Sequence, residues 1–308
     1  MPELKRSYSR MCMVLLGMSA LLAPGCNRGG GESTTKVVDS DPALTAARQS
    51  WRKQQDQMLR SELSPLSRID FVHLPAGDHV VAADTAPLKL AAAAVAPYQG
   101  SIRLHVETGK LTLSAAPPVA RNGQLTGQAE LMNGNVVAVG RLRLMVVGLP
   151  EDPSIAVYDP QAPEQLAFSG LHYFEDDGRY VARAHLERYP QPRPVRVAAS
   201  RGSDKELTAL GTLRFTLAGQ ASSLEAYSEG EGTGRLFLIF KDATSGKPGG
   251  SYGAGRYLYA KLEGDDALLD FNQAWNPLCA YSSYFHCPIP PRQDWLAQPI
   301  PVGEKPYH

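Results

Sequence analysis

The sequence predicts a mostly β protein with one helix near its N-terminus, and three observations carry that prediction. Glycine (28) and proline (24) are abundant in a chain of 308 residues, which favours a turn-rich sheet architecture over a helical bundle. Past Pro65 the apolar residues fall at every second position, the period of a half-buried strand. Between those runs stand the turn dipeptides Thr108-Gly109, Asn122-Gly123 and Asn133-Gly134. A chain of this length holds two domains of ordinary size or one large β-rich one.

The first 25 residues read as a targeting segment rather than as part of the fold. Lys5, Arg6 and Arg10 precede an apolar stretch, Met11–Leu22, that is too short for the ~20 residues of a spanning helix. The stretch closes in Leu22-Ala23-Pro24-Gly25-Cys26, which resembles the lipobox of bacterial lipoproteins. Pro24 departs from the small residue usual there. The resemblance implies acylation of Cys26 and a membrane partner reached through that lipid anchor. Asn27 is not the aspartate that commonly retains lipoproteins in the inner membrane. In a Gram-negative host the expected location is therefore the cell envelope, at the outer membrane facing the periplasm. Without residues 1–25 the chain keeps 28 basic and 30 acidic residues. Such balance gives no basic surplus for a nucleic-acid partner.

Residues 26–40 form a polar tether spanning roughly 20 Å as a flexible coil. Residues 41–64 follow as the helix, with Asp41 as its N-cap, Pro42 at its first position and an end near Leu63. Leu44, Trp51, Met58 and Leu59 are its apolar residues, and Trp51 reads as a packing anchor.

Residues 65–150 read as a first β domain. Ile69, Phe71 and His73 alternate with polar neighbours, and His79-Val80-Val81 follows a turn at Ala76-Gly77-Asp78. Ile102, Leu104 and Val106 form one arm of the clearest hairpin, and Leu111 and Leu113 the other. Val136–Val147 reads as a long strand interrupted at Gly140. Over Phe71–Val147 the order resembles a forkhead-associated (FHA) β-sandwich. Ala82-Ala83 and Gln99-Gly100-Ser101 stand where such domains carry the residues that read phosphothreonine. The resemblance thus implies the sandwich and not the phosphopeptide binding.

Residues 151–308 read as a second β domain, with strands at Ile155–Tyr158, Tyr180–Leu186, Leu210–Leu217 and Leu224–Ala226 and a turn at Gly219-Gln220. Ser228–Gly234 is glycine-rich, but no lysine follows a helix-opening glycine, so it is a solvated loop rather than a phosphate cradle. No cofactor is expected. Cys279 and Cys287 are the remaining cysteine pair once Cys12 and Cys26 are assigned to the leader and the anchor. In an exported protein they read as a disulfide closing a short loop, giving a stapled, loop-rich C-terminal region. With His286 as the one nearby ligand, no metal site is expected.

From Leu238 to Glu304 the residues look individually chosen. Gly249-Gly250-Ser251-Tyr252-Gly253 satisfies the G-x-S-x-G pattern, but Arg256–Lys261 after it alternates like a strand where a nucleophile elbow needs a helix. A hairpin through Glu263-Gly264-Asp265-Asp266 would set Tyr257 opposite Asn272 and Tyr259 opposite Asp270. It would leave Arg256 on the face of Leu258, Leu269 and Phe271. An arginine among apolar residues needs a partner, and Asp242 or Glu304 could be it. Asp242, Tyr252, Arg256, Asp270, Asn272, Asn276 and Glu304 are the ligand-binding candidates; for the Asp and Asn side chains, backbone capping is the default. His172, His185 and His286 stand alone as bases, and no catalytic residue is assigned.

Phe240–Lys247, Tyr252–Tyr259, Leu269–Asn272, Asn276-Pro277, Cys279, Cys287-Pro288 and Pro290-Pro291 resemble the bacterial and archaeal family known as domain of unknown function 1684. The similarity is specific over Leu238–Glu304 and weaker from Trp51. Two extra residues in Lys247–Ser251, Trp275 in place of a tyrosine and Asp294-Trp295 in place of Asn-Arg depart from it. Ser64–Leu74 replaces an early tryptophan-rich segment. No activity is implied by this family. The expectation is an exported cell-envelope protein that binds or scaffolds, and the alternative is a hydrolase or small-ligand enzyme built around Arg256.

Overall fold

The computed structural model describes residues 41–85, 87–148, 152–228 and 234–307. The leader, Cys26 and the tether lie outside the described residues. Helix α1 (Pro42–Leu59) starts as the sequence predicts, with Asp41 Oδ1 accepting from the Ala43 N–H at 2.8 Å and Pro42 in the first turn. It ends four residues before Leu63. Pro65 cannot continue a helix, and the chain instead makes a short 3-10 turn over Pro65–Ser67, capped by the Ser64 hydroxyl.

The structure is mostly β. Eight strands make the first sheet: β1 (Arg68–His73), β2 (Gly77–Val80), β3 (Ser101–Glu107), β4 (Lys110–Arg121), β5 (Gln124–Leu131), β6 (Val136–Val139), β7 (Leu142–Val147) and β8 (Ser154–Tyr158). A four-residue helix α2 (Ala92–Val95) lies between β2 and β3. The strand order is β1-β8-β7-β6-β4-β3-β2, with β5 paired to β4. The hairpin about Thr108-Gly109 has the expected register, Leu104 facing Leu113 and Glu107 facing Lys110. Asn122 and Gly123 both have positive φ and turn β4 into β5. One aliphatic core, including Leu104, Leu113, Val137, Leu144 and Val157, is shared by strands across the sheet.

Two elements of this sheet differ from expectation. Val136–Val147 is not one strand. Gly140 at φ +56° and Arg141 turn it into a hairpin in which Val139 faces Leu142. Ile155–Tyr158, expected in the second domain, completes the first sheet between β1 and β7. The run Ile155-Ala156-Val157-Tyr158 is buried throughout, so both faces of this strand are covered.

A helical turn α3 (Pro163–Ala167) leads to six strands: β9 (Val181–Val197), β10 (Lys205–Leu217), β11 (Gln220–Ser228), β12 (Arg235–Phe240), β13 (Arg256–Glu263) and β14 (Asp266–Asp270). They close into a barrel in the order β10-β11-β12-β13-β14-β9. β9 runs well past Leu186, and its ladder with β10 skips from Arg188 to Arg193 between Gly211 and Ala209. Pro190 and Pro192 fall in the skipped segment and have no N–H to give a ladder. Gly211 lies under the bulge, where a Cβ would collide with the Glu187 carbonyl. The barrel interior holds Leu213, Leu224, Leu238, Phe240, Leu258, Leu269 and Phe271. Leu296, Ile300 and Val302 of the C-terminal segment pack into the same core.

Candidate functional site

Arg256 opens β13 and is fully buried. Strand alternation puts it on the inward face with Leu258, as the sequence predicts, beside the ring of Phe240. Its approach is close: Gly255 has φ +103°, and a Cβ there would meet the Phe240 carbonyl and Pro290. The guanidinium donates to Asp242 Oδ2 at 3.0 Å, to the Ile300 carbonyl at 2.8 Å and to the Val302 carbonyl. It therefore joins the loop after β12 to the C-terminal segment that plugs the barrel.

Asp242 is satisfied from all sides. Oδ1 accepts from the Thr244 N–H at 2.8 Å, the Thr244 hydroxyl at 2.5 Å and the Ile300 N–H at 3.3 Å. Oδ2 accepts from Ser251 Oγ at 2.7 Å and Ser245 Oγ at 3.4 Å besides Arg256. Burial pushes this carboxyl up, but Arg256 and the Thr244 and Ser251 hydrogen bonds outweigh burial and hold it below the ordinary range. Burial lowers Arg256 against the pull of Asp242, and a guanidinium keeps its proton throughout. The pair is ionised inside the fold.

Ser251, the centre of the G-x-S-x-G match, is buried and spends its hydroxyl on this cluster. Its side-chain partners are Asp242, Thr244 and Ser245, none of them a histidine, and β13 rather than a helix follows it. This geometry presents no nucleophile.

The other candidates separate into distinct places. Glu304 is not the direct partner of Arg256. Its carboxylate accepts from the Asn276 N–H at 3.0 Å, from Asn276 Nδ2 at 2.7 Å and from the Tyr281 hydroxyl. Burial raises it to about 7 against the pull of those donors and of Arg256. Asp270 caps the 3-10 turn Phe271–Gln273 and accepts from Asn272 Nδ2 at 2.8 Å. Asn272 in turn exchanges hydrogen bonds with the Asp177 backbone at 2.8 and 3.2 Å. Capping is thus what these side chains do. The β13–β14 hairpin keeps the predicted register at its turn, but the ladder does not extend to the predicted pairs. β13 and β14 pair only at Leu262↔Ala267 and Glu263↔Asp266, and Tyr257 meets Trp275 instead of Asn272. Tyr252 belongs to none of these groups; it is half-buried against Cys279.

Cys279 and Cys287 come together as two thiols, the Cys279 N–H donating to Cys287 Sγ at 3.2 Å. His172, His185 and His286 are all exposed, His185 on β9 and the other two outside the strands. Among the described residues no three His, Cys, Asp or Glu side chains are grouped to hold a metal.

Sequence reasoning missed Arg48 and Asp294. Arg48 of α1 is buried and its Nε donates to Asp270 Oδ2 at 2.7 Å, while Arg52 reaches Asp176. The signal was present: Arg48 lies at helical spacing from Leu44, Trp51 and Leu59, on the apolar stripe. Asp294 accepts from the Glu225 N–H at 2.8 Å and from the Tyr227 hydroxyl at 3.3 Å. Burial first, and then the charge of Glu225, raise it to about 7. No local pattern marked it.

Comparison with known proteins covers the barrel half. The family described as protein of unknown function (DUF1684) matches residues 166–305. A solution NMR structure of an uncharacterised protein of Haloarcula marismortui is 34% identical, over 47% of this chain and 82% of that one, with a TM-score of 0.39. The chain belongs to the DUF1684 family. The family match takes in the whole Leu238–Glu304 stretch and begins after the first sheet. No curated protein matches the chain.

Proposed function

We propose that this DUF1684 protein is a lipid-anchored component of the bacterial cell envelope that binds or scaffolds, and that the Arg256 cluster serves its architecture rather than a reaction. The observation that supports this reading is the closure of the cluster. Each Asp242 oxygen is occupied by protein donors, and Arg256 has no exposed surface. A group that acts on a substrate needs hydrogen-bonding capacity directed at that substrate. None of five surface clefts has Asp242, Tyr252, Arg256, Asp270, Asn272, Asn276 or Glu304 in its wall.

The anchor in this reading is Cys26, followed by a tether that holds the folded part off the outer membrane on its periplasmic side. The FHA likeness of Phe71–Val147 enters as shape alone, a β unit with loops available to a protein partner. On the barrel a cleft of about 710 Å³ is lined by Arg183, Arg214, Ser222, Trp295 and Gln298 among others, and offers a surface for a protein or small molecule. Among the described residues no helix is long and apolar enough to cross a membrane.

Two measurements test the reading. Growth on an alkyne fatty acid should label the wild type, while Cys26→Ser loses the label and leaves the membrane fraction; equal labelling of both would remove the anchor. Purified wild type and Ser251→Ala should show the same background rate on ester, phosphoester and glycoside substrates. Turnover that depends on Ser251 would establish the hydrolase alternative instead.

A further inference from the structure

Cys279 and Cys287 differ in everything that controls thiol reactivity. Cys279 lies on the 3-10 turn Leu278–Ala280 and is half-buried, whereas Cys287 is buried among Ile239, Tyr257 and Ala209. Cys287, Ser200 and Tyr252 lie beside the Cys279 sulfur, and these neighbours lower its pKa against the effect of burial. The same contact, together with burial, raises Cys287. Cys279 is thus the more exposed of the two and is shifted toward its thiolate form, whereas Cys287 is buried and shifted the other way. That asymmetry suits attack followed by resolution.

The backbone around each cysteine is fixed independently of any bond between them. The Cys287 N–H donates to Ser200 Oγ at 3.1 Å, and the Ser200 N–H donates back to the Cys287 carbonyl at 2.9 Å. Next along the chain, the Ile289 N–H donates to Ala198 at 2.7 Å and the Tyr257 hydroxyl donates to the Pro288 carbonyl at 2.6 Å. On the other side, the Ala280 N–H closes on Pro277 at 2.8 Å and the Ser282 N–H on Leu278 at 3.1 Å. A disulfide whose role is to staple a loop supplies order that the loop lacks without it. Here backbone hydrogen bonds order the loop on both sides of the pair, so the bond can form and open without refolding.

We propose that Cys279 and Cys287 form a thiol–disulfide exchange pair, in which Cys279 attacks an external disulfide and Cys287 resolves the mixed disulfide. The Cys279 thiolate displaces one thiolate from the external disulfide and becomes joined to the remaining half. Cys287 then gives up its proton and attacks Cys279 Sγ, and the second external thiolate leaves and takes up that proton. Two protein thiols are oxidised to one disulfide, and one external disulfide is reduced to two thiols. Run backwards, the protein disulfide oxidises an external dithiol. This activity is independent of the Arg256 cluster and of the lipid anchor.

The test is a redox titration of the full chain in mixtures of glutathione and glutathione disulfide, quenched in acid, alkylated and weighed. Wild type should pass reversibly between a doubly alkylated and an unalkylated form of this pair, with an unchanged near-ultraviolet circular dichroism spectrum. Cys287→Ser should accumulate a glutathione adduct at Cys279. Cys279→Ser should form an adduct at Cys287 about tenfold more slowly or less, as exposure and thiolate fraction require. Three results would overturn the proposal: a pair that resists excess glutathione until the protein is denatured, which is an inert staple; a pair that stays reduced in glutathione disulfide; or equal adduct rates at the two cysteines. The wild-type titration decides even where a variant fails to fold.

Discussion

The first sheet and the barrel are both antiparallel β structures of similar strand content, yet they bury different things. The first sheet closes over an aliphatic core, and its own buried polar side chains are His79 and Asp159. The barrel and the loops around it bury Arg256 with five carboxylates, Glu225, Asp242, Asp270, Asp294 and Glu304. An aliphatic core is specified by pattern and volume, and many sequences satisfy it. A buried ion or carboxyl is costly unless it is paired and hydrogen-bonded. Arg256 meets Asp242 and two carbonyls, and among the described residues its Nε alone is left without a partner. The barrel's closure therefore rests on residues chosen one at a time, and the DUF1684 match falls on that half.

The comparison can be broken by removing a buried charge at the edge of the barrel. Arg48→Ala strips Asp270 of its cation while leaving the carboxylate buried. The expected loss in urea unfolding is about 3–5 kcal/mol, as for one half of a buried pair. A loss within the range of a surface substitution would show that α1 does not clamp the barrel.

A smaller effect sharpens it through pH. Glu304 has an ordinary value of 4.5 and is raised to about 7 by burial. A carboxyl raised in the folded state binds its proton more tightly there than in the unfolded chain. Its contribution is fully present below pH 4.5 and is lost as pH climbs through about 7. The shift corresponds to a contribution on the order of 3 kcal/mol. Glu304→Gln keeps the neutral form at every pH and should flatten the fall in stability between pH 5 and 8, where Asp294 continues to contribute. An unchanged slope would place the titration elsewhere.

The smallest effect belongs to the exposed rim of the first sheet. Arg143 holds Glu62 bidentately at 2.8 and 3.0 Å, with Glu62 more than half exposed. Glu62→Gln should cost no more than about 0.5–1 kcal/mol and less in high salt. A cost equal to that of Arg48→Ala would erase the distinction between buried and exposed charge on which the comparison stands.

Much of this was legible in local pattern, because local pattern governs hairpins and faces. The Asp41 cap, the Thr108-Gly109 hairpin and the inward face of Arg256 follow from period and turn chemistry alone. The choice of Asp242 over Glu304 was not legible, since it depends on which loop the barrel brings to β13. β8 reads equally well as the end of one region or the start of the next, and only its pairing with β1 and β7 decides. The Tyr257–Trp275 register departs from simple counting because Asp270 caps a 3-10 turn that takes Asn272 off the strand. Arg48 could have been read by the reasoning applied to Arg256, carried from strand period to helix period.

The central claim is that Asp242 and Arg256 hold the barrel closed, and a double-mutant cycle in urea measures it directly. Asp242→Asn and Arg256→Ala are each expected to be strongly destabilising, Arg256→Ala by about 3–5 kcal/mol because a buried carboxylate loses its cation. The double variant should lose less than the sum of the two by 1 kcal/mol or more, the mark of side chains in one network. Single variants that melt within about one degree of wild type, with additive effects in the cycle, would contradict the claim and return Arg256 to the list of groups free to meet a ligand.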